Sequence, residues 1–267
     1  MLSHPTLEKL SALRLYGMLH GLQDQQKMPA AAEMSFEERL GLLVDREAAD
    51  RDSRRLAQRL KGACLRQNAA VEDIDFRHPR GLDRGTVLGL ASCDWIKSRD
   101  NCVITGPTGA GKSYIACALA NKACREGYSV LYTRTGRLLQ DLQMARAEGS
   151  YARRLRALSR IDLLVLDDWA MAPLSDPQRR DLFEILDDRY DRHSTLVAAQ
   201  IPIEHWHESI GDPTLADAML DRLVHNAHKI TLKGDSMRKK RGVADISLNE
   251  TLRNETMETA HATPTQV

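Results

Sequence analysis

The sequence predicts an α/β fold, with helices flanking a central parallel sheet and a small all-α N-terminal domain in front of it. Three observations predict it. Residues 1–68 carry leucines at helical spacing and no strand-like run. From about residue 86, short apolar runs alternate with helical stretches, the pattern of a parallel sheet covered on both faces. A glycine-rich loop joins the first of those runs to the first long helix.

The elements follow in chain order. Leu7, Leu10, Leu13, Leu15, Met18, Leu19 and Leu22 recur at helical spacing. Pro29 and the alanines after it interrupt this segment. Ser35-Phe36-Glu37-Glu38 reads as a capping box opening a second helix. Residues 69–85 hold Asp73, Asp75, Pro79, Gly81 and Gly85 and read as a linker. The sheet domain spans residues 86–244. Its strand candidates are Cys102–Thr105, Val130–Thr133, Leu163–Asp167, Thr195–Ala199 and Ile230–Leu232. The polar tail, residues 245–267, is expected to be disordered.

Composition narrows the function. Apolar residues make up 42% of the 267, enough for a real core, whereas aromatics at 4% disfavour base-stacking platforms. A net charge of +1 leaves nucleic-acid binding to local clusters. The five cysteines form no C-x-x-C pair, which argues against a disulfide framework or a zinc site. No signal peptide or membrane-spanning run is visible, so a cytoplasmic protein is expected. His205, His207, His225 and His228 read as ordinary surface or capping residues.

Gly106-Pro107-Thr108-Gly109-Ala110-Gly111-Lys112-Ser113 fits the phosphate-loop pattern G-x-x-x-x-G-K-[ST] at every fixed position. Glycines let successive N–H groups turn inward onto phosphate oxygens, and the helix start adds its positive end. Lys112 is placed to reach the β- and γ-phosphates and Ser113 to ligate Mg²⁺. The nucleotide-binding stretch is expected to run on to Tyr114. The run Ile161–Asp168 is an apolar strand closing on two carboxylates. Asp167 is expected to hold Mg²⁺ with Ser113, and Asp168 to orient or deprotonate the attacking water. Gln200, after the next strand, is a candidate bridge between that water and the γ-phosphate. Arg222 and Arg238 are candidates for stabilising transition-state charge, from the same or a neighbouring subunit.

Three segments are locally basic: one includes Arg54, Arg55 and Arg59, another Arg137, Arg153 and Arg154, the third Lys239 and Lys240. Such clusters give phosphate affinity without sequence reading. No recognition-helix motif or zinc finger is present, so recognition by shape and deformability is expected.

Taken together, these motifs resemble the AAA+ ATPases: Walker A at Gly106 to Ser113, Walker B at Asp167-Asp168, sensor 1 at Gln200, the arginine finger at Arg222 and sensor 2 at Arg238. The Asp-Asp ending resembles the branch that holds the helicase loader DnaC and the transposition helper IstB. Ser35–Leu40, Val71–Phe76, His78-Pro79-Arg80-Gly81-Leu82, Asp221–His228 and Leu232–Arg238 are similar to the IstB family. The resemblance implies an ATPase with ATP and Mg²⁺ as cofactors, slow until a partner stimulates it. It implies homo-oligomers with ATP sites between subunits, assembly on duplex DNA largely irrespective of sequence, deformation of that DNA, and recruitment of an IstA-like transposase. Hydrolysis would then drive disassembly. One departure stands out: the family usually has glycine where this chain has Ala170. A DnaC-like helicase loader is the competing reading, and a small-molecule P-loop kinase a more distant one.

Overall fold

The structure is a computed structural model and describes residues 5–234, 236 and 237. The chain divides into two compact units, residues 1–62 and 63–267.

The first unit is helical. Helix α1 (Pro5–Ala12), α2 (Tyr16–Lys27) and α3 (Phe36–Ala63, whose last residue belongs to the second unit) follow one another, with a short 3₁₀ turn at Pro29–Ala32. The leucine spacing of residues 7–22 reads as one segment, yet the chain breaks between α1 and α2. Arg14 takes φ +59°, and a left-handed residue ends a right-handed helix. The capping box forms as expected. Glu38 N–H donates to Ser35 Oγ at 3.2 Å, and Ser35 N–H donates to Glu38 Oε2 at 2.8 Å.

Glu47 on α3 supplies the cap that α2 lacks in its own sequence. Its carboxylate accepts from the N–H groups of Gly17 (2.7 Å) and Met18 (3.2 Å) and from Arg51 Nε (2.6 Å). Burial pushes the Glu47 carboxyl up, but the hydrogen bonds from Arg51, Met18 and Gly17 outweigh it and hold it below the usual range. Gly17 permits this approach, because a Cβ there would lie 2.6 Å from Glu47 Cα.

The second unit is built on five parallel strands: β1 (Asn101–Thr105), β2 (Val130–Arg134), β3 (Leu163–Trp169), β4 (Ser194–Ala199) and β5 (Ala227–Thr231). Their order is β2-β3-β4-β1-β5. Helices α4 (Arg84–Ala91) and α5 (Asp94–Lys97) precede β1; between the strands run α6 (Lys112–Arg125), α7 (Thr135–Ala147), α8 (Tyr151–Leu158), α9 (Asp176–Arg189), α10 (Trp206–Ile210) and α11 (Pro213–Val224). The central strands are mostly apolar because both faces are covered. Leu164, Leu166 and Val197 are fully buried, and Trp169 packs on Trp206 with ring centroids 5.5 Å apart. The edge strand β5 starts three residues before the predicted run. Its exposed His228 and Lys229 mask the strand pattern in the sequence.

Residues 69–85, which read as a linker, are packed in this unit. Val71, Ile74 and Arg80 are buried, and Lys233 N–H donates to Arg80 O at 2.8 Å. The tail 245–267 lies outside the described residues. Among the described residues no helix is long and apolar enough to cross a membrane.

Candidate nucleotide-binding site

Buried β1 delivers the chain into Gly106, and α6 begins at Lys112, so the glycine loop lies between a strand end and a helix N-terminus. Glycine is required at two of its positions by close approach as well as by conformation. Gly106 (φ +144°) would bring a Cβ to 2.5 Å from Leu232 O. Gly111 (φ +101°) would bring one to 2.4 Å from Arg80 Nη1. The segment after β5 braces the loop: Leu232 N–H donates to Thr105 O at 2.8 Å and Met237 N–H to Gly109 O at 3.0 Å. Lys112 is buried, with Nζ donating to Gly106 O (2.7 Å) and Pro107 O (2.9 Å).

Asp167 is the hub of the second half. It is 1% exposed, and its Oδ2 accepts from Ser113 Oγ at 2.7 Å and from the Tyr132 hydroxyl. Arg66 Nη1 stands 3.7 Å from the same oxygen, and Asp168 N–H donates to Oδ1 at 2.9 Å. Burial and the neighbouring Asp167 push the Tyr132 phenol up, so it stays a donor. A hydroxyl and a carboxylate meeting on a helix start are hard oxygen donors. They fit Mg²⁺, which is bound through few carboxylates plus water and phosphate.

The pairing of β3 with β4 slips between Leu166 and Trp169, leaving one extra residue on β3. Such a bulge re-aims a side chain. Here Asp168 takes φ +57° and turns to a cavity of about 370 Å³, while Asp167 and Trp169 stay buried on either side of it. The cavity is lined by the glycine loop, Ser113, Tyr114, Asp168 and Gln200, and also by Arg66, Arg80 and Arg134. Gln200 Oε1 accepts from Thr108 Oγ1 at 2.7 Å, which ties the end of β4 to the loop. The volume lies in the range of small-molecule and cofactor sites.

Ala170 gains a physical meaning. Its φ is +54°, the left-handed region that glycine adopts freely and alanine does not. Ala170→Gly is expected to raise the melting temperature by about 2–4 °C, from the roughly 1 kcal/mol of strain removed. A lower melting temperature in calorimetry would contradict this.

Of the other predicted residues, Arg222 lies on α11, outside this cavity. Its Nε and Nη2 stand 2.7 and 2.6 Å from Asp187 Oδ1, and its guanidinium covers Phe183 at 4.9 Å. Arg238, Lys239 and Lys240 lie outside the described residues. Arg54 and Arg55 pair with Glu47 (3.5 Å) and Asp52 (3.6 Å), and Arg59 is half-buried in the same helix. Arg137, Arg153 and Arg154 are exposed on α7 and α8. Among the described residues they make no ion pair, and Arg137 and Arg154 border one hollow. Sequence reasoning missed Arg66, Tyr132 and Arg134 at the site. Tyr132 was within reach, since it falls on the inward alternation of a predicted strand next to β3.

A family model described as IstB-like ATP binding protein matches residues 8–244. The chain belongs to the IstB-like ATP-binding family. An insertion sequence ATP-binding protein of Sinorhizobium fredii, y4pL, is 51% identical over 90% of this chain and 98% of its own length. The ATP-binding protein of insertion sequence IS21 from Pseudomonas aeruginosa is 32% identical over 86% and 87%. Among solved structures, DnaI matches this IstB-like chain with TM-score 0.54 and 19% identity, over 63% of this chain and 92% of that one. The DnaC helicase loader matches with TM-score 0.51 and 18% identity, over 62% and 97%. These likenesses show the fold, a central parallel sheet flanked by helices, and the family makes it an ATP-binding protein.

Proposed function

We propose that this IstB-like chain is an ATP-dependent, DNA-binding regulator of transposition. The observation that carries the reading is the convergence of Ser113, Asp167, Asp168 and Gln200 on the mouth of one glycine loop. The names of its relatives, ATP-binding proteins of insertion sequences, support the context.

On this reading the chain hydrolyses ATP. The loop N–H groups and Lys112 hold the phosphates, and Tyr114 borders the nucleotide. Ser113 and Asp167 hold Mg²⁺, which, when bound, neutralises charge on the transferring phosphoryl group. Asp168, re-aimed by the bulge, orients the water and accepts its proton, and Gln200 bridges that water and the γ-phosphate. Asp168 is one methylene shorter than a glutamate, which fits slow turnover until a partner tightens the site.

Arg222, outside its own cavity, is available to a neighbouring protomer once it exchanges Asp187 for phosphate. Sensor 2 is assigned to Arg238. The unpaired Arg137, Arg153 and Arg154 suit duplex phosphates, with Arg54, Arg55, Arg59, Lys239 and Lys240 as further contacts. ATP thus joins protomers on DNA, an IstA-like transposase is recruited, and hydrolysis releases the assembly.

Electron microscopy with duplex DNA tests this. Rings or short helices are expected with ATP and are lost in Arg222→Ala, which keeps ATP affinity but not turnover. Single protomers in the presence of both ATP and DNA would refute the reading.

A further inference from the structure

We infer that Arg80 is a positioning residue of the triphosphate site: it orients the Ala110–Gly111 peptide of the glycine loop and gives the loop a second buried cation beside Lys112. The inference rests on the reading of that loop as a triphosphate site.

Arg80 belongs to the motif His78-Pro79-Arg80-Gly81-Leu82. Its side chain is buried at 3% exposure. Nη1 donates to Ala110 O at 3.0 Å and Nη2 to Asp75 O at 3.0 Å, while Nε is buried without a partner. Both partners are neutral carbonyls. The Asp75 carboxylate turns to the N–H of Arg77, and among the described residues no carboxylate pairs with Arg80.

A guanidinium buried with no direct ion pair, and only the more distant Asp75 carboxylate to offset it, is costly to a fold. Arg189, also buried, shows what a structural solution looks like. Its donors reach Leu158 O, Ile161 O, Ser194 O and Thr195 Oγ1, and so tie the end of α9 to the sheet. Arg80 satisfies fewer donors and borders the cavity of the glycine loop. The charge that would balance it is an anion in that cavity.

Geometry gives Arg80 a second role. A peptide unit is planar and trans, so its C=O and N–H point in opposite directions. Arg80 holds the Ala110 carbonyl on its own side, which turns the Gly111 N–H the other way. Gly111 lines the cavity, and Arg80 packs so closely that a Cβ at 111 would lie 2.4 Å from Nη1. An N–H fixed in advance does not have to be ordered when phosphate arrives.

The test compares the full-length chain with Arg80→Met and Arg80→Gln. It measures the ligand-free melting temperature and equilibrium binding of ATP and of adenosine. Both variants are expected to melt within a few degrees of wild type or above it, because a costly buried charge is gone. ATP affinity should fall by about 10- to 100-fold, the usual effect of losing charge-assisted hydrogen bonding, with adenosine affinity unchanged. Hydrogen exchange at residues 110–113 should quicken without ligand. Wild-type ATP affinity in both variants would overturn the inference, as would failure of both to fold, which would make Arg80 purely structural. If wild type itself shows no ATP affinity, the reading of the site falls, and this inference with it.

Discussion

Lys112→Ala is expected to weaken ATP binding by about 100-fold or more while leaving the sheet intact. Lys112 is the one lysine in the glycine loop, and its Nζ already spans Gly106 O and Pro107 O. In the partly dry cavity it contributes a point charge to the terminal phosphates, and charge-assisted bonds there are worth about 1.5–3 kcal/mol each. Isothermal titration with ATP measures the loss, and circular dichroism checks the fold. Unchanged affinity would remove the loop from the site.

The largest effect on stability is expected from Arg189→Met, about 3–5 kcal/mol. Methionine fills much of the volume but donates nothing. Three backbone carbonyls and the Thr195 hydroxyl lose their partner inside the fold. Burial pushes the Arg189 guanidinium down to about 9, still charged at neutral pH, so those bonds are charge-assisted. A melting temperature lower by about 6–20 °C is expected for a unit of this size. The contrast with Arg80→Met is diagnostic: the same substitution at two buried arginines should destabilise the fold at one and spare it at the other.

The loop and the Asp167-Asp168 strand were legible because their chemistry is local. Glycines at set spacing, a lysine and a strand ending in carboxylates each leave a mark within eight residues. Four of the five strands read cleanly because their apolar runs are too short for helices and alternate with helical stretches; β5 did not, since an edge strand can carry His228 and Lys229. The features that were missed come from long-range packing. Arg66 reaches Asp167 across 101 positions of sequence. The β3 bulge that aims Asp168 is a matter of register with β4. The break at Arg14 is a single left-handed residue inside an otherwise helical leucine pattern. Ala170 lies between these cases: the departure from the family's glycine was visible in sequence, but its φ of +54° was not.

The central claim is that nucleotide at the Gly106–Ser113 loop governs how this chain holds DNA. Equilibrium binding of a labelled random-sequence duplex tests it most directly, measured with ATP, with ADP and without nucleotide, for wild type and Lys112→Ala. The account predicts that ATP tightens wild-type binding by at least about tenfold over ADP, a typical coupling of 1–3 kcal/mol, and leaves Lys112→Ala unchanged. Equal duplex affinity in all three nucleotide conditions for wild type would contradict it.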